Sequence, residues 1–193
     1  MKNPVRSISL MSLLVAGIAQ SPIRSQGMNG FLAGIVAQAR PQLEERGQTL
    51  TLQIPAYLPP ATTVGDNLEK AIACLLNNAV LATPQGGEVA IHADLQEDED
   101  GQAYILIQFV DQGGGISPND QKSVFSPKVS AHRANIPGLG EEPSNMAAAR
   151  SIIEIEGGRI WMECEPGRGC TYSLLLPVAQ GALLLADPKE SPS

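Results

Sequence analysis

Two short segments hold side chains whose types and spacing can do chemistry. In VDQGGGISPND, residues 110–120, a carboxylate closes an apolar run and is followed by three consecutive glycines. A carboxylate at the mouth of a buried strand is a directional acceptor, and backbone without side chains lets a flat ligand approach. In LLNNAVLATP, residues 75–84, Asn78 falls on the edge of an apolar stripe made by Leu68, Ala71, Ile72, Leu75, Leu76 and Ala79, while Asn77 points away from it. Asn78 is thus expected to be half-buried, and such an amide needs partners. Neither common phosphate motif is present: no G-K-[ST] follows GGGISP, and no G-x-G-x-x-G opens a helix. Taken alone, the glycine run suits a turn as well as a ligand site.

The elements that must position these residues follow from periodicity. Phe31, Leu32, Ile35, Val36, Ala39 and Leu43 predict a helix over 28–46, stopped by Gly47. TLTLQIP alternates as a strand with Leu50, Leu52 and Ile54 on one face, and PAYLPP reads as a linker. Asp66 with Glu69 three residues on resembles a capping box and starts a helix to about Ala82. Val89, Ile91, Ala93 and Leu95 point inward from a strand over 88–95, turning His92 outward. The acidic tip QEDEDGQ then leads into the strand 103–110, and this hairpin delivers Asp111 to one end of a sheet.

Beyond the glycines, Ser117 and Pro118 start a short helix to Val124, and 126–143 forms a long loop, disordered or a lid. Ser144 caps a helix to about Glu156, with Met146, Ala149, Ile152 and Ile153 inward. Two strands hairpinned about PGRG follow, and the chain from 178 onward is expected to fray. Helices alternating with mostly hairpin-linked strands predict a two-layer α/β sandwich.

Composition narrows the function. The 193-residue chain is 43% hydrophobic, enough for one ordinary core, and its net charge of -7 with few aromatics argues against nucleic acid. Three cysteines without a CxxC pair indicate neither a disulfide framework nor zinc, although Cys164 and Cys170 can face each other across their hairpin. A reducing cytoplasm is the simplest setting. No run reaches the length of a membrane span, and the start, MKNPVR then ISLMSLLVAGIAQ, reads as either a signal segment or an amphipathic partner helix.

Read in order, LLNNAVLATP, VDQGGGISPNDQKSVFSP, a glycine-containing loop and GGRIWMECEPGRGCTYSLLLP resemble the ATP-binding domain of the histidine kinase-like ATPases, closest to the two-component sensor kinases. The resemblance covers 28–177 and implies a Bergerat-type fold, a mixed, mostly antiparallel sheet packed on helices under a mobile ATP lid. Residues 1–27 would then be a helical segment, a candidate remnant of a dimerisation helix, and 178–193 a tail. Asn78 matches the N-box asparagine that holds magnesium. Asp111, Gly113, Gly115 and Ile116 match the D-x-G-x-G-I box, with Asp111 pairing the adenine amine. Phe125 resembles the first F-box phenylalanine, and Gly138 and Gly140 the second glycine box, whose amides meet the phosphates.

The resemblance implies ATP and magnesium as cofactors, and a histidine-bearing dimerisation domain or a response regulator as partners. It also exposes departures. Cys74 stands where the gyrase type carries a general-base glutamate, and a thiol is a poor water activator. Lys128 replaces the second F-box phenylalanine, and Glu141 and Glu142 stand near where phosphates would lie. The only histidines, His92 and His132, do not lie on a dimerisation helix. Transfer of the γ-phosphate to a histidine outside this chain is the first expectation. A non-catalytic pseudokinase module and a serine kinase of the anti-sigma-factor type are the alternatives.

Overall fold

Buried Ala103, Ile105, Ile107 and Phe109 alternate with half-exposed neighbours along β3, Ala103–Val110. That alternation is what a strand covered on one face requires. In the computed structural model, which describes residues 27–62, 66–126 and 146–179, β3 is the middle of a five-stranded sheet. Its other strands are β1 (Thr49–Gln53), β2 (Glu88–Glu97), β4 (Arg159–Glu165) and β5 (Gly169–Pro177), in the order β1-β2-β3-β5-β4. Only β1 and β2 are parallel, joined by the crossover helix α2, Asp66–Ala82; the remaining pairs are antiparallel.

Three longer helices supply the second layer: α1 (Gly27–Glu45), α2 and α4 (Met146–Ile155). The stripe expected on α2 is buried throughout, as are Met146, Ala149 and Ile153 of α4, and all join one apolar core with β2, β3 and β5. The two-layer α/β sandwich expected from the sequence is the observed architecture. The short helix α3, Pro118–Val124, starts at Ser117, whose hydroxyl accepts from the Asp120 amide at 3.3 Å.

Several expectations need correction. Leu95, expected inward, is 37% exposed, because β2 runs on past the end of the helical layer. Asn78, expected half-buried, is fully buried, because α4 covers the edge of the stripe. β1 stops at Gln53, before Pro55. The linker behind it is packed rather than loose: Leu58 is buried, and its amide donates to Asn29 Oδ1 at 2.7 Å. The last strand is followed by more ordered chain than expected, since buried Val178 bridges Ala61. Cys164 and Cys170, not counted as a framework, are joined in a disulfide between paired positions of β4 and β5. Pro41 sits inside α1, and the carbonyl four residues back belongs to exposed Ala37, where water can take the hydrogen bond proline cannot donate. The 126–143 loop and the Ser144 cap lie, beyond Ser126, outside the described residues.

Candidate functional site

The carboxyl end of α2 and the carboxyl end of β3 meet at one end of the sheet, and the sequence between α1 and β1 explains why they stay there. Helix α2 has no basic residue in its last turn to satisfy its terminal carbonyls. Buried Gln48 does so instead, its Nε2 donating to the carbonyls of Val80, Thr83 and Pro84 at 2.9, 2.7 and 3.1 Å. Arg46 adds bonds to the Leu81 and Thr83 carbonyls at 3.3 and 3.2 Å. Thr83 then links the two ends: its hydroxyl accepts from the Gln112 amide at 3.3 Å, just beyond Asp111.

Asp111 is 1% exposed. Its Oδ1 accepts from the amides of Gly113 at 2.7 Å and Cys170 at 3.1 Å, while its Oδ2 has no partner. Burial pushes this carboxyl up from 3.8 to about 6, against the opposing pull of those two amides and of the Tyr172 hydroxyl. The carboxylate is therefore clamped by one oxygen and presents the other.

The glycines following it are there for space. A β-carbon at Gly113 would lie 2.8 Å from the Ala82 carbonyl oxygen and as close to Asp111 Oδ1. Gly115 has φ +67°, and a β-carbon there would collide with the Glu165 carbonyl of the β4–β5 turn. Gly114, by contrast, has open space around it. The Gly167 amide donates to the Gly114 carbonyl at 2.7 Å, and Gln121 Nε2 bridges the carbonyls of Ile116 and Cys164, both at 2.9 Å. The β4–β5 turn is thus a floor on which the glycine loop rests, and Ile116 is buried in the core behind it.

Asn78 lies across from this floor on α2. Its Nδ2 donates to the Cys74 carbonyl at 2.9 Å and lies 3.0 Å from Met146 Sδ, which fixes the amide orientation. Its Oδ1 is left without a partner. Tyr172 on β5 connects the two sides: its hydroxyl is influenced by both the Asp111 carboxylate and the Cys74 thiol. Phe125, at the end of α3, is half-buried with the Arg150 guanidinium 5.9 Å from its ring centre, so it contacts α4 at the border of this region.

Asn78, Asp111, Gly113, Gly115, Ile116 and Phe125 are therefore placed around one end of the sheet, while Gly138 and Gly140 lie outside the described residues. Sequence reasoning missed Tyr172, Met146 and the Cys170 amide, which come together only through the β3–β5 and α2–α4 packing. The register of GRGCTYSLLLP against β3 is the signal that could have found Tyr172 and Cys170. Among the described residues no three His, Cys, Asp or Glu side chains form a metal cluster, and no helix is long and apolar enough to cross a membrane. A separate cleft beside Tyr104 and Arg159 lies at the opposite end of the strands and does not reach these residues.

Three comparisons place the chain among known proteins. Residues 63–180 match the family described as histidine kinase-, DNA gyrase B-, and HSP90-like ATPase. The chain is 27% identical over 189 residues to the adaptive-response sensory kinase SasA of Synechococcus sp. strain CC9311, covering 94% of this chain and 48% of that protein. It is 32% identical over 152 residues to the alginate biosynthesis sensor protein KinB of Pseudomonas aeruginosa, covering 76% of this chain and 24% of that one. The chain thus spans less than half the length of these curated relatives. Among solved structures, the mycobacterial sensor histidine kinase MprB superposes with a TM-score of 0.60 at 21% identity, covering 80% of this chain and 96% of that one, which shows the shared fold. The chain belongs to the histidine kinase-, DNA gyrase B- and HSP90-like ATPase family, as an ATP-binding catalytic domain of the histidine kinase type.

Proposed function

We propose that this domain binds ATP with magnesium and transfers the γ-phosphate to a histidine carried by another segment or polypeptide. The observation that carries this is the buried, unpartnered Oδ2 of a carboxylate whose other oxygen is already anchored by two amides. Such an acceptor suits the exocyclic amine of adenine, and Gly113 and Gly115 let the loop beside it pack closely against the Ala82 and Glu165 carbonyls. The solved structure of ShkA, a protein of the same fold, is described as a complex with AMPPNP, a nucleotide of this class.

Asn78 fits a magnesium site in one respect: its Oδ1 is a hard oxygen with no protein partner. One oxygen is few, so the remaining ligands would be phosphate oxygens and water, as is usual for this ion. Bound there, magnesium would neutralise phosphate charge. Asn78 would hold it, and because its side chain is fully buried, the packing around it must open for Oδ1 to be reached. Gly138 and Gly140 would donate backbone amides to the phosphates. Cys74, one turn before Asn78, is not suited to activate water, so positioning for transfer rather than hydrolysis is the role this arrangement supports.

The histidine-bearing partner is tested directly. The purified chain is mixed with labelled ATP, magnesium and a separately purified dimerisation domain carrying a phosphoacceptor histidine. Acid-labile label on that domain is the expected outcome. No transfer from a chain that binds nucleotide would turn the assignment to a non-catalytic signalling module.

A further inference from the structure

The Cys164–Cys170 bridge joins β4 to β5 one residue pair away from the turn on which the glycine loop rests. At that pair the backbone is turned outward on both sides. The amide and the carbonyl of Cys170 both bond Asp111, and the Cys164 carbonyl accepts from Gln121 Nε2 at 2.9 Å. In an antiparallel ladder this is a non-hydrogen-bonded pair, so here the sulfurs are the link between the strands.

Each of the two cysteines holds a different half of the site. Cys170 anchors Asp111 by main chain and side chain. Cys164 anchors the glycine loop through Gln121, whose Nε2 also donates to the Ile116 carbonyl at 2.9 Å. The bridge is therefore the covalent joint between the carboxylate and the loop beside it. The fold does not depend on that joint. β4 and β5 pair from Arg159 with Leu175 to Glu165 with Gly169, β5 is also paired along β3, and a ring so short is where the loop-closure gain is smallest. Cys164 is partly exposed on the edge strand β4, whereas Cys170 is buried, so a thiolate from outside reaches the first and the second is the leaving group.

We propose that Cys164–Cys170 is a reversible thiol–disulfide site, reduced by a dithiol, through which redox state sets nucleotide affinity. This rests on the reading that nucleotide binds beside Asp111. One thiolate of the dithiol attacks Cys164 Sγ, the Sγ–Sγ bond breaks, and Cys170 leaves as a thiolate that takes up a proton. The second thiol of the reductant then closes on the sulfur bound to Cys164, releasing that cysteine as a thiol. Two electrons and two protons have passed to the protein, the dithiol has become a cyclic disulfide, and a disulfide oxidant reverses the exchange. With the joint open, Asp111 stays on β5 while the loop stays with β4 and α3, and their separation is no longer fixed. Affinity should fall about tenfold, within what one short-ring crosslink can supply. By linkage, bound nucleotide must make the bridge harder to reduce by the same factor.

The test titrates chain whose bridge has been verified by mass with magnesium-ADP, by calorimetry, before and after treatment with dithiothreitol, beside Cys164→Ser. The dissociation constant should rise about tenfold on reduction and recover when glutathione disulfide restores the bridge. Cys164→Ser should bind like the reduced chain and ignore the reductant. Saturating magnesium-ADP should raise the ratio of reduced to oxidised dithiothreitol needed for half-reduction of the wild-type bridge by about the same factor. Equal affinity in both redox states, or a reductant effect that survives in Cys164→Ser, would overturn the proposal and leave the nucleotide site standing. Unfolding on reduction, seen by circular dichroism, would make the bridge purely structural and overturn it as well. Nucleotide bound by neither form would sink the reading of the site and the proposal with it.

Discussion

The Cys170 amide donates to Asp111 Oδ1 at 3.1 Å while the Asp111 amide donates to the Cys170 carbonyl at 2.9 Å. Backbone of β5 therefore holds both the main chain and the side chain of the residue at the mouth of β3. A loop aspartate is thereby placed with the rigidity of a strand.

That placement has a cost in stability with a definite sign. Burial raises the folded-state pKa of Asp111 from 3.8 to about 6, so below the lower value both folded and unfolded chains carry the proton and nothing is lost. As pH rises through about 6 the folded chain must bury a charge the unfolded chain ionises freely, a penalty approaching about 3 kcal/mol. Asp111→Asn keeps an oxygen for the two amides and removes the charge. It should be more resistant to urea than wild type at neutral pH and lose that advantage near pH 4, although it no longer offers a carboxylate to a ligand. A variant less stable than wild type at neutral pH would contradict this account.

The glycine triplet should respond unevenly. Gly115→Ala combines an unfavourable φ with a clash against the Glu165 carbonyl and should cost roughly 2–4 kcal/mol in denaturant unfolding. Gly114→Ala meets nothing and should stay within about 1 kcal/mol of wild type. Equal losses at both positions would mean that the β4–β5 turn is not the floor described.

The Cys164–Cys170 bridge closes the turn that carries this floor, with a sequence separation of 6. Loop-closure entropy for so short a ring gives about 2 kcal/mol. Reduction of protein whose bridge has been verified by mass should lower the melting temperature and speed amide exchange at Gly167, which donates to the Gly114 carbonyl. Cys74→Ser should leave that response in place. No change on reduction would contradict the role given to the bridge.

Asn78→Ala should separate metal from base. Nucleotide affinity in the variant should become insensitive to magnesium, while wild type gains from it, as calorimetry with and without the ion would show. Equal magnesium dependence in both would remove Asn78 from the metal.

Most elements were legible because their apolar spacing was unambiguous: the α2 stripe from Leu68 to Ala79 and the alternation from Ala103 to Phe109 each admit one periodicity. Asp111 was legible because it interrupts such a pattern beside glycines. What stayed hidden was set by contacts between distant segments. The full burial of Asn78 depends on Met146, 68 positions away, and the anchoring of Asp111 depends on the Cys170 amide, 59 positions away. Leu95 was misread because period alone does not say where the covering layer ends. Gln48 and Arg46, which cap α2 from outside it, leave no local pattern that marks them as caps.

In the proposed function, Asp111 offers its open oxygen to the base of a bound nucleotide. Calorimetric titration of the chain with magnesium-ADP at neutral pH, beside Asp111→Asn, tests it most directly. Micromolar binding by wild type that disappears in the variant, with both proteins folded, is the expected result. Binding of equal strength in both, or none at millimolar nucleotide by folded wild type, would contradict it.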